Sequence, residues 1–192
     1  MRNFIKINHA INMDTVIDEI ISNDALFMPM PIETLDHRNP GHPHRELRCI
    51  TLRMTPFKDD ICTNHQSADE AADELIAYDL DIYKLFPECR RAVYRVMEAV
   101  NASQIGRVCV ARLDQGKRIY GHYDQGESAR YYKRYHLMIS GKKDNWITCG
   151  EGADTEHLEM LTGECWSFNH ELWHSFANHS TEPRIYLNMD LR

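Results

Sequence analysis

The sequence predicts a mainly β domain, a barrel or a sandwich, with a few bracing helices in its first half. Three observations support this. After Asn101 the apolar residues leave helical spacing for short runs, and turn signals recur at 115–117, 126–128, 141–145 and 150–154. The segments 118–124 and 184–191 alternate along their length, as half-buried strands do. Short strands with regularly spaced turns are what barrels and sandwiches require.

Taken in order, Phe4 to Ile7 reads as a first strand. Asp14 or Thr15 then caps a short helix with Val16, Ile17, Ile20 and Ile21 on one face. Residues 29–46 form a Pro- and His-rich loop, and 47–54 a strand. Ser67 and Glu70 make a capping box for a helix bearing Ala71, Leu75, Tyr78 and Ile82. Pro87 opens a second helix with Val93, Val96, Met97 and Val100 facing inward. The 192 residues make one domain: 1–104 as preface and support, 105–192 as the core barrel.

Composition narrows the function. A net charge of −7 gives nucleic acid no general attraction, and no stretch has the apolar length of a membrane span or a signal peptide. The six cysteines, at 49, 62, 89, 109, 149 and 165, make no Cys-x-x-Cys pair. They read as reduced thiols of a cytoplasmic protein.

The chemistry concentrates in the second half. His122 and Asp124 lie two apart in Arg118-Ile-Tyr-Gly-His-Tyr-Asp124, so on a strand an imidazole and a carboxylate share one face. A second histidine, His174, opens a later strand at Trp173-His-Ser-Phe176. Two histidines and one carboxylate with open positions form the facial triad of non-haem Fe(II) oxygenases. The short motif is weak alone, since composition predicts roughly 1.7 His-x-acid pairs by chance. The competing pairs, His44 with Glu46 and His157 with Glu159, fall in segments that read as loops.

Ten residues past His174 stands Arg184, at the start of the alternating run 184–191. With the turn centred near His179, the two strands pair as a hairpin and 174 faces 184. The guanidinium then lies beside the metal ligand, where an Arg fork suits a carboxylate. The bland alternative is a surface Arg next to a turn.

Here the chain resembles a known group. Gly163-Glu-Cys-Trp-Ser-Phe-Asn169, His174-Ser-Phe-Ala-Asn178 and Arg184-Ile-Tyr-Leu-Asn-Met-Asp190 are similar to the aspartyl/asparaginyl β-hydroxylase and proline-hydroxylase-like family. Arg112-Leu-Asp-Gln-Gly116, Gly121-His-Tyr-Asp124 and Arg134-Tyr-His136 extend the likeness over about residues 105–191. The resemblance implies a double-stranded β-helix (jelly-roll, cupin-like) and an Fe(II)- and 2-oxoglutarate-dependent dioxygenase that also consumes O2. It implies iron at His122, Asp124 and His174, and the distal carboxylate of 2-oxoglutarate at Arg184. Arg134 and His136 match an Arg-x-His pair at the oxo-acid end, with Arg130 a competing match. The implied reaction hydroxylates an sp3 carbon of an aspartyl/asparaginyl-type residue or free amino acid, or of a proline-type amino acid. Two departures stand out: Asp124 is present where some relatives have no carboxylate ligand, and Asn169 stands where Asp is frequent.

Two other classes compete. A cupin-type metal isomerase or lyase would use the triad without 2-oxoglutarate, and a non-catalytic β-sandwich module would use neither. Tyr120, Arg112 and Asn188 are candidate pocket residues, and Trp146, Trp166 and Trp173 read as barrel wall. His42 and His44 read as part of a flexible surface loop rather than as ligands.

Overall fold

A computed structural model of the chain describes residues 3–29, 42–55 and 75–192. Twelve strands are found there: β1 (Phe4–Ile7), β2 (Met28–Pro29), β3 (Arg48–Met54), β4 (Tyr78–Asp79), β5 (Ile105–Leu113), β6 (Arg118–His122), β7 (Lys133–Ser140), β8 (Asn145–Cys149), β9 (Glu156–Glu159), β10 (Cys165–Phe168), β11 (His174–Asn178) and β12 (Arg184–Leu191). The larger sheet runs β1-β10-β7-β12-β5-β3-β2 with β4 on β3, and the smaller runs β6-β11-β8-β9. From β5 onward the chain passes back and forth between the two sheets, all pairs antiparallel. This is the jelly-roll that the resemblance implies, and it fits the barrel or sandwich that the strand pattern predicts.

Helices α1 (Met13–Ser22) and α2 (Pro87–Ala99) cover the outer face of the larger sheet. Val16 and Ile20 of α1 and Val93 and Val96 of α2 are buried with Leu137, Leu187, Met189 and Leu191. Burying each such side chain stabilises by roughly 1.5–3 kcal/mol. A second core lies between the sheets, built from Leu113, Ile119, Met138, Ile147, Phe168, Phe176 and Tyr186. Pro87 occupies the first turn of α2, where its missing N–H costs nothing. Glu19 of α1 accepts from the amides of Glu88 and Cys89 at 2.8 Å and so caps α2 in its place.

Several expectations are corrected. The cap of α1 is Asn12, which accepts from the amide of Asp14, and Ile21 is exposed because the apolar face is narrower than four residues. The proposed helix from Ser67 falls mostly outside the described residues. Within them, Tyr78 lies in β4 and Ile82 in a 3-10 turn, Asp81–Leu85. The turn at 126–128 opens a short helix, α3 (Glu127–Tyr131), and His157 belongs to β9.

The largest correction concerns the hairpin. β11 and β12 do not pair: β11 is flanked by β6 and β8, and β12 by β5 and β7. Both edges of β11 are occupied, so the chain at 179–183 crosses to the other sheet. Asn178 holds that corner, donating to the carbonyls of Leu113 and Glu182, each at 2.8 Å. In β12 the apolar positions Leu187, Met189 and Leu191 face the helices. The intervening positions, Arg184, Tyr186 and Asp190, are themselves buried rather than solvated.

Candidate metal centre

Strand register builds the site. The residue opposite His174 is His122, across the β6–β11 pair, and the ring centroids are 4.3 Å apart. Asp124 sits two residues beyond the end of β6, which stops at His122, so its position comes from the irregular segment after the strand rather than from strand alternation. Its amide donates to the carbonyl of His170 at 3.2 Å. Asp124 Oδ1 lies 3.5 Å from His122 Nε2 and 3.9 Å from His174 Nε2. One ligand atom from each residue falls within 4.8 Å of the other two.

The histidines are oriented as metal ligands are. Nδ1 of His122 meets the carbonyl of Tyr120 at 2.7 Å, and Nδ1 of His174 meets that of Leu172 at 2.8 Å. A carbonyl can only accept, so Nδ1 carries the proton and Nε2 turns a lone pair to the shared point. His122 Nε2 is buried without a hydrogen-bond partner among the described residues. An N2O set closed on one side fits Fe(II). Burial lowers the His174 pKa to about 4, against the pull of Asp124, so the ring is neutral at physiological pH.

Asp124 is ionised. Burial alone would raise its pKa, but the Arg134 guanidinium and the neighbouring histidines hold it well below the usual range. Arg134 reaches Asp124 Oδ2 through Nη1 and Asp190 Oδ1 through Nε at 2.9 Å. Arg130, the competing match, is on α3 and exposed. His136 is buried in the inter-sheet core, 4.4 Å from the Tyr186 ring and 5.1 Å from Phe168, with Nδ1 unpartnered. Arg134 and His136 thus stand together on β7 beside the triad.

Arg184 is fully buried, and no carboxylate pairs with it among the described residues. Its Nη1 donates to the carbonyl of Trp146 at 3.2 Å, Nη2 contacts Met160 Sδ at 3.7 Å, and Nε has no partner among the described residues. The guanidinium lies 5.0 Å from the Phe176 ring centroid and 5.3 Å from that of Tyr186. Burial lowers its pKa to about 10. A cation held inside a protein without a counter-ion is costly, and a bound carboxylate would offset that cost. Phe176 is two residues along β11 from His174, or roughly 6.6 Å at strand rise. The cation and the metal point are therefore separated along one strand.

Sequence reasoning missed three residues here. His44, read as part of a surface loop, packs edge-on against His122 with centroids 4.5 Å apart. Its turn is fixed to β6: Tyr120 N donates to Pro43 O at 2.9 Å, and the Arg45 guanidinium stacks 3.4 Å from the Tyr120 ring centroid. His170 Nε2 meets the carbonyl of Ala129 at 2.8 Å, tying the Asp124 segment to α3. Asp190 braces Arg134. Of the candidate pocket residues, Arg112 is committed to Asp114 and Asp24. Tyr120 supports the His44 turn. Asn188 is paired in register with His136, its Oδ1 buried and unpartnered.

Comparison with known proteins agrees with this fold. The family model described as aspartyl/asparaginyl β-hydroxylase matches residues 74–192. A prolyl-4-hydroxylase from Pseudomonas putida has the same fold, with 14% identity, a TM-score of 0.55, and coverage of 100% of this chain and 93% of that one. An oxidoreductase of the 2OG-Fe(II) oxygenase family from Burkholderia pseudomallei aligns at 8% identity and TM-score 0.52, over 76% of this chain and 65% of that one. No curated protein matches by sequence. No helix among the described residues is long and apolar enough to cross a membrane. The chain belongs to the aspartyl/asparaginyl β-hydroxylase family.

Proposed function

We propose that His122, Asp124 and His174 hold the Fe(II) and that Arg184 binds the distal carboxylate of 2-oxoglutarate. The observation that carries this is the pairing of a converged N2O set with a buried guanidinium that has no counter-ion among the described residues. A metal isomerase or lyase has no need of that cation. Arg134 and His136 would meet the oxo-acid end, as the resemblance implies. When bound, iron and 2-oxoglutarate supply an O2-derived oxidant for an unactivated C–H bond.

The protein's share is orientation and exclusion of water. The two Nδ1–carbonyl bonds fix both imidazoles, Arg134 fixes the carboxylate, and Phe168, Phe176 and Tyr186 keep the co-substrate chamber apolar. The substrate is an amino-acid carbon, with an aspartyl/asparaginyl-type residue or free amino acid preferred because that family model matches. A proline-type amino acid is the alternative, favoured by the carboxylate ligand Asp124. The net charge of −7 supports a partner other than nucleic acid, and the scattered cysteines support a cytoplasmic setting. Enzyme, Fe(II) and 2-oxoglutarate are incubated with free amino acids and with Asp-, Asn- and Pro-containing peptides, following succinate and the mass of one added oxygen. Turnover only with a nucleobase, lipid or sugar would overturn the substrate reading.

A further inference from the structure

Asp124 is the one ligand that no strand holds, since β6 ends at His122. Its carboxylate is oriented by Arg134, and the side of Arg134 away from the metal point is held by Asp190. Asp190 accepts from Arg134 Nε at 2.9 Å and Nη2 at 3.4 Å, and from Arg107 Nε at 3.0 Å. Its side chain is 3% exposed, and it is the cross-strand partner of Arg134 in the β7–β12 pair. The result is a row of alternating charges, Arg107, Asp190, Arg134 and Asp124, running from the half-exposed Arg107 to the metal point.

We infer that Asp190 is a positioning residue for the metal site: it holds Arg134 so that only Nη1 reaches Asp124, leaving Oδ1 free for iron. This rests on the assignment of iron to His122, Asp124 and His174. A guanidinium favours bidentate contact with a carboxylate. Without Asp190, Arg134 can turn its fork onto both oxygens of Asp124 and compete with the metal. Arg107 supplies the second positive charge that two buried carboxylates around one guanidinium require. β12 then serves both ends of the site, Arg184 at the co-substrate and Asp190 behind the carboxylate ligand.

The test measures Fe(II) dissociation constants anaerobically, without 2-oxoglutarate, for the wild type, Asp190→Asn and Asp190→Glu, with Tm recorded for each metal-free protein. Loss of an outer partner of a metal ligand weakens metal binding by about 10–100-fold, and that loss is expected for Asp190→Asn. Asp190→Glu, which keeps the charge, should recover part of it. Unchanged iron affinity in a folded Asp190→Asn protein would overturn the proposal, as would a change confined to 2-oxoglutarate affinity at saturating iron. Should Asp190→Asn not fold, Arg107→Gln perturbs the same carboxylate from its surface side. A severalfold weaker Fe(II) affinity at near-wild-type Tm supports the proposal, and unchanged affinity overturns it. Failure of the wild type itself to bind Fe(II) would instead strike the metal assignment.

Discussion

Gly121 and Trp173 touch so closely that a β-carbon on the glycine would stand 2.0 Å from Cζ2 of the indole. Each residue immediately precedes a histidine of the candidate triad, and β6 and β11 are neighbours with His122 opposite His174, so a wider contact here would be expected to shift the two histidines relative to each other. Gly121→Ala is expected to cost about 1–3 kcal/mol, the usual range for overpacking. It should also weaken Fe(II) binding, because relief requires one ligand strand to move. Adding Trp173→Ala should recover iron affinity in Gly121→Ala. A Gly121→Ala protein with wild-type Tm and iron affinity would show that the two histidines keep their spacing without this contact.

Arg184→Lys should raise the 2-oxoglutarate requirement while Fe(II) affinity without co-substrate stays put, since a point charge replaces a planar fork. Arg184→Met goes further. It removes a buried cation that has no carboxylate partner among the described residues, so metal-free Tm should hold or rise even as 2-oxoglutarate binding is lost. Equal losses of iron and 2-oxoglutarate binding would mean that Arg184 is structural instead.

His122→Ala and His174→Ala should each abolish Fe(II) binding at micromolar metal with the fold kept, as circular dichroism would report. Asp124→Ala should retain some iron, since both imidazoles remain fixed by Tyr120 and Leu172. Succinate production at wild-type rate by His174→Ala would remove that residue from the ligand set.

Acid should destabilise the metal-free protein well before the carboxylates titrate. Burial lowers the pKa of His174 to about 4 and that of His44 to about 3, and also depresses His136 and His170. The unfolded chain takes up these protons near pH 6.5 and the folded one does not. The folded state therefore loses ground as pH falls below 6.5, by up to about 1.4 kcal/mol per pH unit for each such histidine. Asp124 and Asp190 have depressed pKa values, so their stabilising contributions are lost only below about pH 4. Urea midpoints between pH 7.5 and 5 check the sign. A flat profile would mean that these rings protonate freely in the fold.

The candidate ligands were legible in the sequence because His-x-Asp and a later histidine are local signals, the first at the end of β6 and the second at the start of β11. Their actual partners were not. Placing 174 opposite 184 follows from the short turn between them, yet the jelly-roll sends β11 and β12 to different sheets and pairs His174 with His122. The alternation in 184–191 correctly marks a strand, but not which face meets water. A polar face turned into an active-site chamber reads as a solvated one. That is why Asp190 passed unnoticed, and Arg184 was placed on a hairpin rather than in the core. His44 escaped because Pro and Gly around it signal loop, which says nothing of what the loop packs against.

Anaerobic addition of 2-oxoglutarate to the Fe(II)-loaded protein tests the central assignment most directly. The wild type should develop the visible charge-transfer absorption of a chelated 2-oxoglutarate–iron complex. Arg184→Lys should need more 2-oxoglutarate to reach it, and His174→Ala should not show it. Iron binding by the wild type without that absorption at any 2-oxoglutarate concentration would contradict the assignment.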